Sequence, residues 1–265
     1  MKKNLIFIFC VIFANLAIGI YAGATLTSEP LNKSLIKELD VSHLWTTSNF
    51  LSYHEGEVYP VERAQPLGYI GNDFQRFYIH FNTVEKNNSN PLKYQITGKT
   101  RVKENICSFD GVLNITNVVI LPELYCDGEN YLFQQGYLEG SYEFRENKDE
   151  YGAGVLKGTF RTNFYIDNEG KMLYDGLNQN HSDPFNNNQF TGTWTGYKTG
   201  AVKKCNWGDY RIPDSKGLNS GAAEFHPLNA SEKNGWANYV KASYSNYNNA
   251  EREKAWAEES RQWWR

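Results

Sequence analysis

From Gly68 onward, apolar and polar residues alternate with a period of two. In Leu156–Ile166, one set of positions is apolar or small, and the other carries Lys157, Thr159, Arg161 and Asn163. Since successive side chains of a strand point to opposite faces, this alternation predicts an antiparallel sheet with one buried face. The same pattern predicts further strands at Phe77–Phe81, Lys93–Thr97, Val112–Leu121 and Leu138–Arg145.

The segment after the Leu156–Ile166 strand predicts a hairpin. Asp167-Asn168-Glu169-Gly170 has the composition of a tight turn, in which glycine supplies a positive φ. Lys171–Tyr174 is then the returning strand.

Several glycines fall on the apolar face of their strands: Gly140, Gly158, Gly192 and Gly196. Glycine inside a strand usually marks close approach of another group or sharp coiling of the sheet. A set of such glycines facing one interior favours a strongly curved sheet or barrel. A flat sandwich with small residues under large ones is the alternative.

The flanks of this β region differ in pattern. Residues 25–66 are predicted to be an irregular arm, with a short helix at Asn32–Leu39. Residues 231–265 show helical spacing, with Ser231 as the predicted cap of a first helix and Asn249 of a second. The tryptophans of this segment are expected to pack it onto the β domain, residues 67–230.

The fold predicted is therefore mainly β. A curved antiparallel sheet is expected to close into a barrel, with the C-terminal helical segment packed against it.

The N-terminus has the pattern of a secretory signal. Lys2 and Lys3 precede the apolar run Leu5–Ile20, and Ala22-Gly23-Ala24 is a small-residue cleavage site. Bulky residues before Cys10 argue against a lipoprotein signal. We expect residues 1–24 to be cleaved, leaving a secreted or periplasmic protein without stable membrane insertion.

Charge narrows the classes of partner. Removal of residues 1–24 leaves 27 − 2 = 25 basic and 30 acidic residues, a balance of −5. That balance argues against nucleic-acid binding and supplies no polybasic membrane patch.

Three cysteines remain after the predicted cleavage: Cys107, Cys126 and Cys205. The predicted strand Val112–Leu121 spans roughly 30 Å, whereas a disulfide needs Cα atoms within about 7 Å. Cys107 and Cys126 are therefore not expected to pair with each other. Two arrangements are compatible with the sequence. Either Cys107 or Cys126 forms a disulfide with Cys205, or all three cysteines are buried free thiols.

No catalytic signature is present. The histidines form no HxH or HExxH pattern, and the chain lacks a GxSxG elbow, a P-loop and a GxGxxG loop. We expect no metal, no cofactor and no catalytic residue. The sequence therefore favours a protein that is not an enzyme.

The stretch Phe190–Pro213 is the densest in aromatic and polar residues. An exposed set, Trp207, Tyr210 and Arg211, is typical of surfaces that stack on sugars and other flat ligands. With Asp209 beside them, these residues form the predicted ligand-binding site. In the competing interpretation Trp207 closes one barrel end, Arg211 ties down the C-terminal loop, and Asp209 is a turn residue or a salt-bridge partner of Arg211.

The leading hypothesis is an exported, non-enzymatic binding or interaction protein for a small apolar or glycan ligand. One alternative is a carbohydrate-active hydrolase, with Asp209 and Glu224 as its paired carboxylates. Another is a structural component of a surface assembly, which would show a large exposed apolar patch. The oligomeric state stays open.

Several runs carry a resemblance to known sequences: PLGYIGNDFQRFYIHF, GTFRTNFYIDNEGK, NNQFTGTWTGYKTG and KKCNWGDYRIPDS. They resemble an uncharacterised family of secreted proteins from Bacteroidetes-type bacteria, over most of the mature chain. This resemblance implies export and brings no activity and no catalytic residues. Gly192-Thr193-Trp194 is also similar to the Gly-x-Trp of lipocalin-type (calycin) barrels, although there it lies on the first strand and here on a late one.

Overall fold

The computed structural model describes residues 36–127, 131–179, 184–219, 224–243 and 247–265. The predicted signal segment, residues 1–24, lies outside these ranges, as does the beginning of the predicted helix Asn32–Leu39.

The N-terminal arm is more regular than predicted, and the described end of the predicted helix Asn32–Leu39 is helical. Residues 36–38 are helical, and a short helix α1 (His43–Thr46) follows. Strands β1 (Asn49–His54) and β2 (Glu57–Glu62) then form an antiparallel hairpin. Its turn places Glu55 and Gly56 at φ 52° and 82°, the left-handed geometry of a tight hairpin turn.

The main sheet has ten antiparallel strands, and their hydrogen-bonded order is β4-β3-β12-β11-β9-β8-β7-β6-β5, with β10 pairing to β9. The strands are β3 (Leu67–Ile70), β4 (Gln75–Arg76), β5 (Tyr78–Lys86), β6 (Lys93–Val102), β7 (Asn105–Asp127), β8 (Tyr131–Glu146), β9 (Gly154–Ile166), β10 (Met172–Tyr174), β11 (Asn187–Gly196) and β12 (Val202–Asp209). The strands and the hairpin turn at Gly170 predicted from the sequence are confirmed.

The sheet curls into a half-barrel and does not close, so the prediction of a closed barrel is wrong. Its two ends, β4 and β5, are consecutive in the chain around Phe77 but are not paired with each other. The strands at the β3–β4 edge are short: β3 has four residues and β4 has two. That edge is too short to pair along the nine residues of β5, which leaves an opening beside β5.

The curvature predicted from the glycines is confirmed, and its cause is a repeated cross-strand packing. Phenylalanine rings lie over directly paired glycines of the neighbouring strand in the pairs Gly98–Phe109, Gly111–Phe144, Gly136–Phe164 and Gly140–Phe160. A Cβ atom added at Gly140 would lie 2.7 Å from a ring carbon of Phe160 and 2.2 Å from the carbonyl oxygen of Asn114. The rings therefore fill the concave face at positions where any side chain would push the strands apart.

The C-terminal segment is helical and packs on the sheet, as the aromatic spacing predicts. It comprises a 3-10 helix (Asn229–Asn234), α2 (Ala237–Ser243) and α3 (Asn249–Glu259). Both predicted caps are displaced: Ser231 lies inside the 3-10 helix, and Asn248 rather than Asn249 caps α3 through a capping box with Glu251. Trp236 is fully buried, and its indole N–H donates to the carbonyl of Phe74 at 2.8 Å.

No disulfide joins the cysteines within the described residues. Cys107 and Cys126 lie on the same extended strand, β7, in agreement with the expectation that they cannot pair. Cys107 and Cys205 are buried, and burial raises the pKa of both thiols, to about 11 for Cys107. Cys126 is exposed, unlike the three buried thiols of one sequence alternative.

Within the described ranges, none of the helices combines the length and apolar content needed to cross a bilayer.

We expect Gly140→Ala to lower the free energy of unfolding by about 1–3 kcal/mol, since overpacking of a filled core costs that much. The added methyl group would contact both the Phe160 ring and the backbone of Asn114. Urea unfolding checks this, with Ser141→Ala on the exposed face of the same strand as the control. Equal stability of the two variants would contradict the packing account.

Candidate functional site

A cleft of about 860 Å³ occupies the opening that the sheet leaves beside β5. One wall is the sheet itself, from β5 and from the end of β12. The arm contributes residues on either side of its hairpin, and α2, α3 and the C-terminal residues form the opposite wall. All four residues of the sequence-predicted site, Trp207, Asp209, Tyr210 and Arg211, line this cleft.

Trp207 forms the sheet side of the cleft and is buried, not exposed as the sequence analysis expected. Only 2% of it is accessible, because its ring stacks on Phe190 with centroids 4.8 Å apart and an interplanar angle of 11°. Tyr142 packs edge-on against it at 5.1 Å. Trp207 therefore continues the aromatic interior of the sheet up to the cleft.

Asp209 lies at the centre of a buried hydrogen-bond network. Its carboxylate has no accessible surface and accepts from Arg63 Nε (3.0 Å) and Nη2 (3.1 Å). Tyr174 Oη donates to it at 3.0 Å and Asn188 Nδ2 at 2.9 Å. The cation paired with Asp209 is Arg63, not Arg211 as one sequence alternative proposed. The geometry is bidentate, the strongest form of arginine–carboxylate pair.

Arg63 ties the arm to the sheet. Its Nη1 also donates to the carbonyl oxygens of Trp45 (2.8 Å) and Thr47 (3.3 Å). Burial alone would lower the pKa of Arg63, but the adjacent Asp209 carboxylate outweighs it, and the pKa is raised. Arg63 thus stays charged, and Asp209 holds the cleft wall in place rather than presenting a carboxylate to a ligand.

Tyr210 and Arg211 form the turn that leaves β12. Tyr210 has φ 62°, a left-handed conformation that costs a side-chain-bearing residue energy and often marks a constrained site. Its ring packs edge-on against Phe185 (5.0 Å) and Phe50 (6.4 Å). The carbonyl of Arg211 accepts from Gln189 Nε2 at 2.9 Å, so this turn is fixed to β11.

His80 on β5 is a cleft residue that the sequence analysis did not select. Its ring stacks on Trp264 with centroids 3.9 Å apart and an interplanar angle of 11°. Burial, and secondarily the positive charge of Arg63, lowers the pKa of His80 to about 4. The imidazole is therefore neutral near pH 7, which favours a stacked aromatic contact over an ion pair.

The helical wall presents one accessible aromatic face. Trp256 of α3 lines the cleft and is 48% exposed. Trp236 and Trp263, by contrast, are buried as packing residues, which is the role that the sequence analysis assigned to all the tryptophans of this segment.

A second buried ion pair lies in the same wall. Arg76 Nη2 of β4 donates to Glu259 Oε2 of α3 at 3.1 Å, with both side chains almost inaccessible. Alternation along this segment places Arg76 on the face opposite Phe77, with Tyr78 and His80, so no local sequence pattern indicates its burial.

The predicted carboxylate pair is only partly supported by geometry. Asp209 and Glu224 both line the cleft, and Glu224 is exposed. A glycosidase pair must exchange protons with substrate and water, whereas the oxygens of Asp209 are already engaged by three side chains.

Within the described ranges, no group of three or more His, Cys, Asp or Glu side chains is placed to hold a metal ion. His181 lies outside those ranges.

Comparisons of the chain with protein families, with curated proteins and with solved structures gave no match.

We expect Asp209→Asn to lower the free energy of unfolding by about 3–5 kcal/mol, the cost of leaving a buried cation unpaired. Asp214→Asn is the matched control, because its carboxylate is 65% exposed and bonds Lys204 at the surface; its expected cost is less than about 1 kcal/mol. Urea unfolding measures both. Similar losses in the two variants would contradict the role of the Arg63–Asp209 pair.

His80 predicts a pH dependence of stability. Its pKa is about 4 in the folded protein, against 6.5 for a histidine exposed to water. Between these two values the unfolded chain binds a proton that the folded chain does not, so His80 lowers stability as the pH falls from 6.5 towards 4. As the pH falls over this range, the melting temperature of His80→Gln should therefore decrease less than that of the wild type. His54→Gln, at the end of β1 with its side chain 45% exposed, is the control. Parallel curves for wild type and His80→Gln would refute the assignment.

Proposed function

We propose that this protein is an exported, non-enzymatic binding protein that holds a glycan in the cleft beside β5. The observation that carries the proposal is the combination of an accessible aromatic face, Trp256, with buried arginine–carboxylate pairs in one cleft of about 860 Å³. Cavities of roughly 300–1,000 Å³ are typical of small-molecule sites. An accessible aromatic face is a surface on which a sugar ring can stack, and the buried ion pairs fix the walls that surround it.

An apolar ligand inside the sheet has less support. The concave face is filled by the rings that cover the strand glycines, and Phe160 and Phe164 are buried. The cleft offers open space, but its walls carry charged groups that would lose hydration against an apolar molecule. Calycin-like barrels, with which we compare the curled sheet, also hold ligands at an open end.

A hydrolase has less support than a binding protein, because Asp209 is committed to Arg63, Tyr174 and Asn188. Export is part of the proposal and rests on the signal pattern of residues 1–24.

A panel of neutral and acidic oligosaccharides, followed by tryptophan fluorescence and calorimetry, tests this proposal. We expect Trp256→Ala to weaken binding about 2- to 10-fold, the value of one aromatic stacking contact. Tyr151→Ala is the control, because Tyr151 is 82% exposed and lies outside the cleft.

Two results would overturn the proposal. One is the absence of binding by any oligosaccharide at millimolar concentration. The other is equal binding by the Trp256 and Tyr151 variants, which would place the ligand outside the cleft.

A further inference from the structure

Two buried arginines alternate with three aromatic rings along the edge of the sheet that faces the C-terminal segment. The guanidinium of Arg76 lies 4.2 Å from the Trp236 ring and 4.6 Å from the Tyr78 ring. On Tyr78 lies a second guanidinium, that of Arg101, at 4.0 Å, and Trp263 follows at 5.4 Å. We call this series, Trp236–Arg76–Tyr78–Arg101–Trp263, the cation–aromatic stack.

The donors of Arg76 are mostly unused. Arg76 is 2% exposed, and its Nη2 donates to Glu259, whereas Nε and Nη1 have no hydrogen-bond partner among the described residues. Aromatic rings lie against the guanidinium, which restricts further bonds to its plane. Unpaired buried donors are costly and rare in native proteins, so these two require an explanation.

The cation–aromatic stack also carries more positive than negative charge. Arg76 and Arg101 are both at least 94% buried, and within the described residues Glu259 is the one carboxylate that forms an ion pair with either. Burial alone would lower the pKa of Arg76, but the Glu259 carboxylate outweighs this effect and raises it, so Arg76 stays charged. A buried region with two cations and one anion favours a further anion.

The cleft gives such an anion a route to one of these cations. Arg76 lines the cleft together with Glu259, Tyr239 and Trp256, while Arg101 lies behind Tyr78. Arg76 Nε and Nη1 have almost no accessible surface, so an anionic group in the cleft would reach them once the side chains around them shift. Arg101 would add positive potential through the stack.

We propose that the ligand of the cleft is an acidic sugar, and that its carboxylate accepts hydrogen bonds from Arg76 Nε or Nη1. This inference rests on the proposed function and specifies its substrate class. The sugar ring lies against Trp256, and the carboxylate neutralises the excess positive charge of the stack. Arg76 is thus a specificity-determining residue that selects charged over neutral glycans.

The test compares uronic-acid oligosaccharides, such as trigalacturonate, with their methyl esters, which keep the sugar and remove the charge. We expect the wild-type protein to bind the acid at least about 10-fold more tightly than the ester, the effect of one charge-assisted hydrogen bond. Arg76→Gln should bind acid and ester equally. Arg145→Gln removes an exposed arginine outside the cleft and should keep the wild-type preference.

The outcomes separate this inference from the proposed function. Equal affinity of the wild type for acid and ester, with neutral glycans still bound, overturns the carboxylate subsite alone. Failure of acids, esters and neutral glycans to bind overturns both proposals. An undiminished preference in a folded Arg76→Gln also overturns the subsite. If that variant does not fold, Arg76→Met removes the charge and the donors but keeps the apolar stem between the aromatic rings, and retention of the preference there has the same meaning.

Discussion

The packing of a phenylalanine ring over a glycine of the adjacent strand is the contact on which the structure depends. Gly140 and Phe160 show it most clearly, since no Cβ atom fits between the ring and the carbonyl of Asn114. Repeated along the central strands, this packing lets the sheet coil strongly while its concave face stays filled. A coiled sheet whose β3–β4 edge is short must leave an opening beside β5, and the cleft is that opening.

The Arg63–Asp209 pair determines what covers the opening. Because the carboxylate lies at the end of β12 and the guanidinium at the end of the arm hairpin, their bond holds the arm across the edge of the sheet. The Arg76–Glu259 pair does the same for the C-terminal helices on the opposite wall. Each wall of the cleft is therefore anchored by a buried ion pair, and the neutral stack of His80 on Trp264 lies between them.

The sequence predicts the local elements well and the long-range pairs poorly. Alternation and turn composition locate the central strands and the hairpin at Gly170, and the glycines indicate curvature. Asp209 was selected for its aromatic neighbours, but its partner Arg63 lies 146 residues away, and no local pattern connects the two. Arg76 looks like an ordinary strand residue, because its burial depends on helices that fold back from the end of the chain. Barrel closure could not be judged, since the short length of β4 is set by tertiary contacts.

The pairing of β3 with β12 also has a consequence for the order of folding. Leu67–Ile70 can join the sheet only after Cys205–Gly208 has been synthesised and paired, since these strands are neighbours in space and far apart in sequence. Contacts of such high sequence separation form late and slow the folding of β proteins. The hairpins from β5 to β9 are local and can assemble earlier, with β5 as an exposed edge. We therefore expect the cleft to form late in folding, and chains that stop short of it to present an open sheet edge prone to association with other chains.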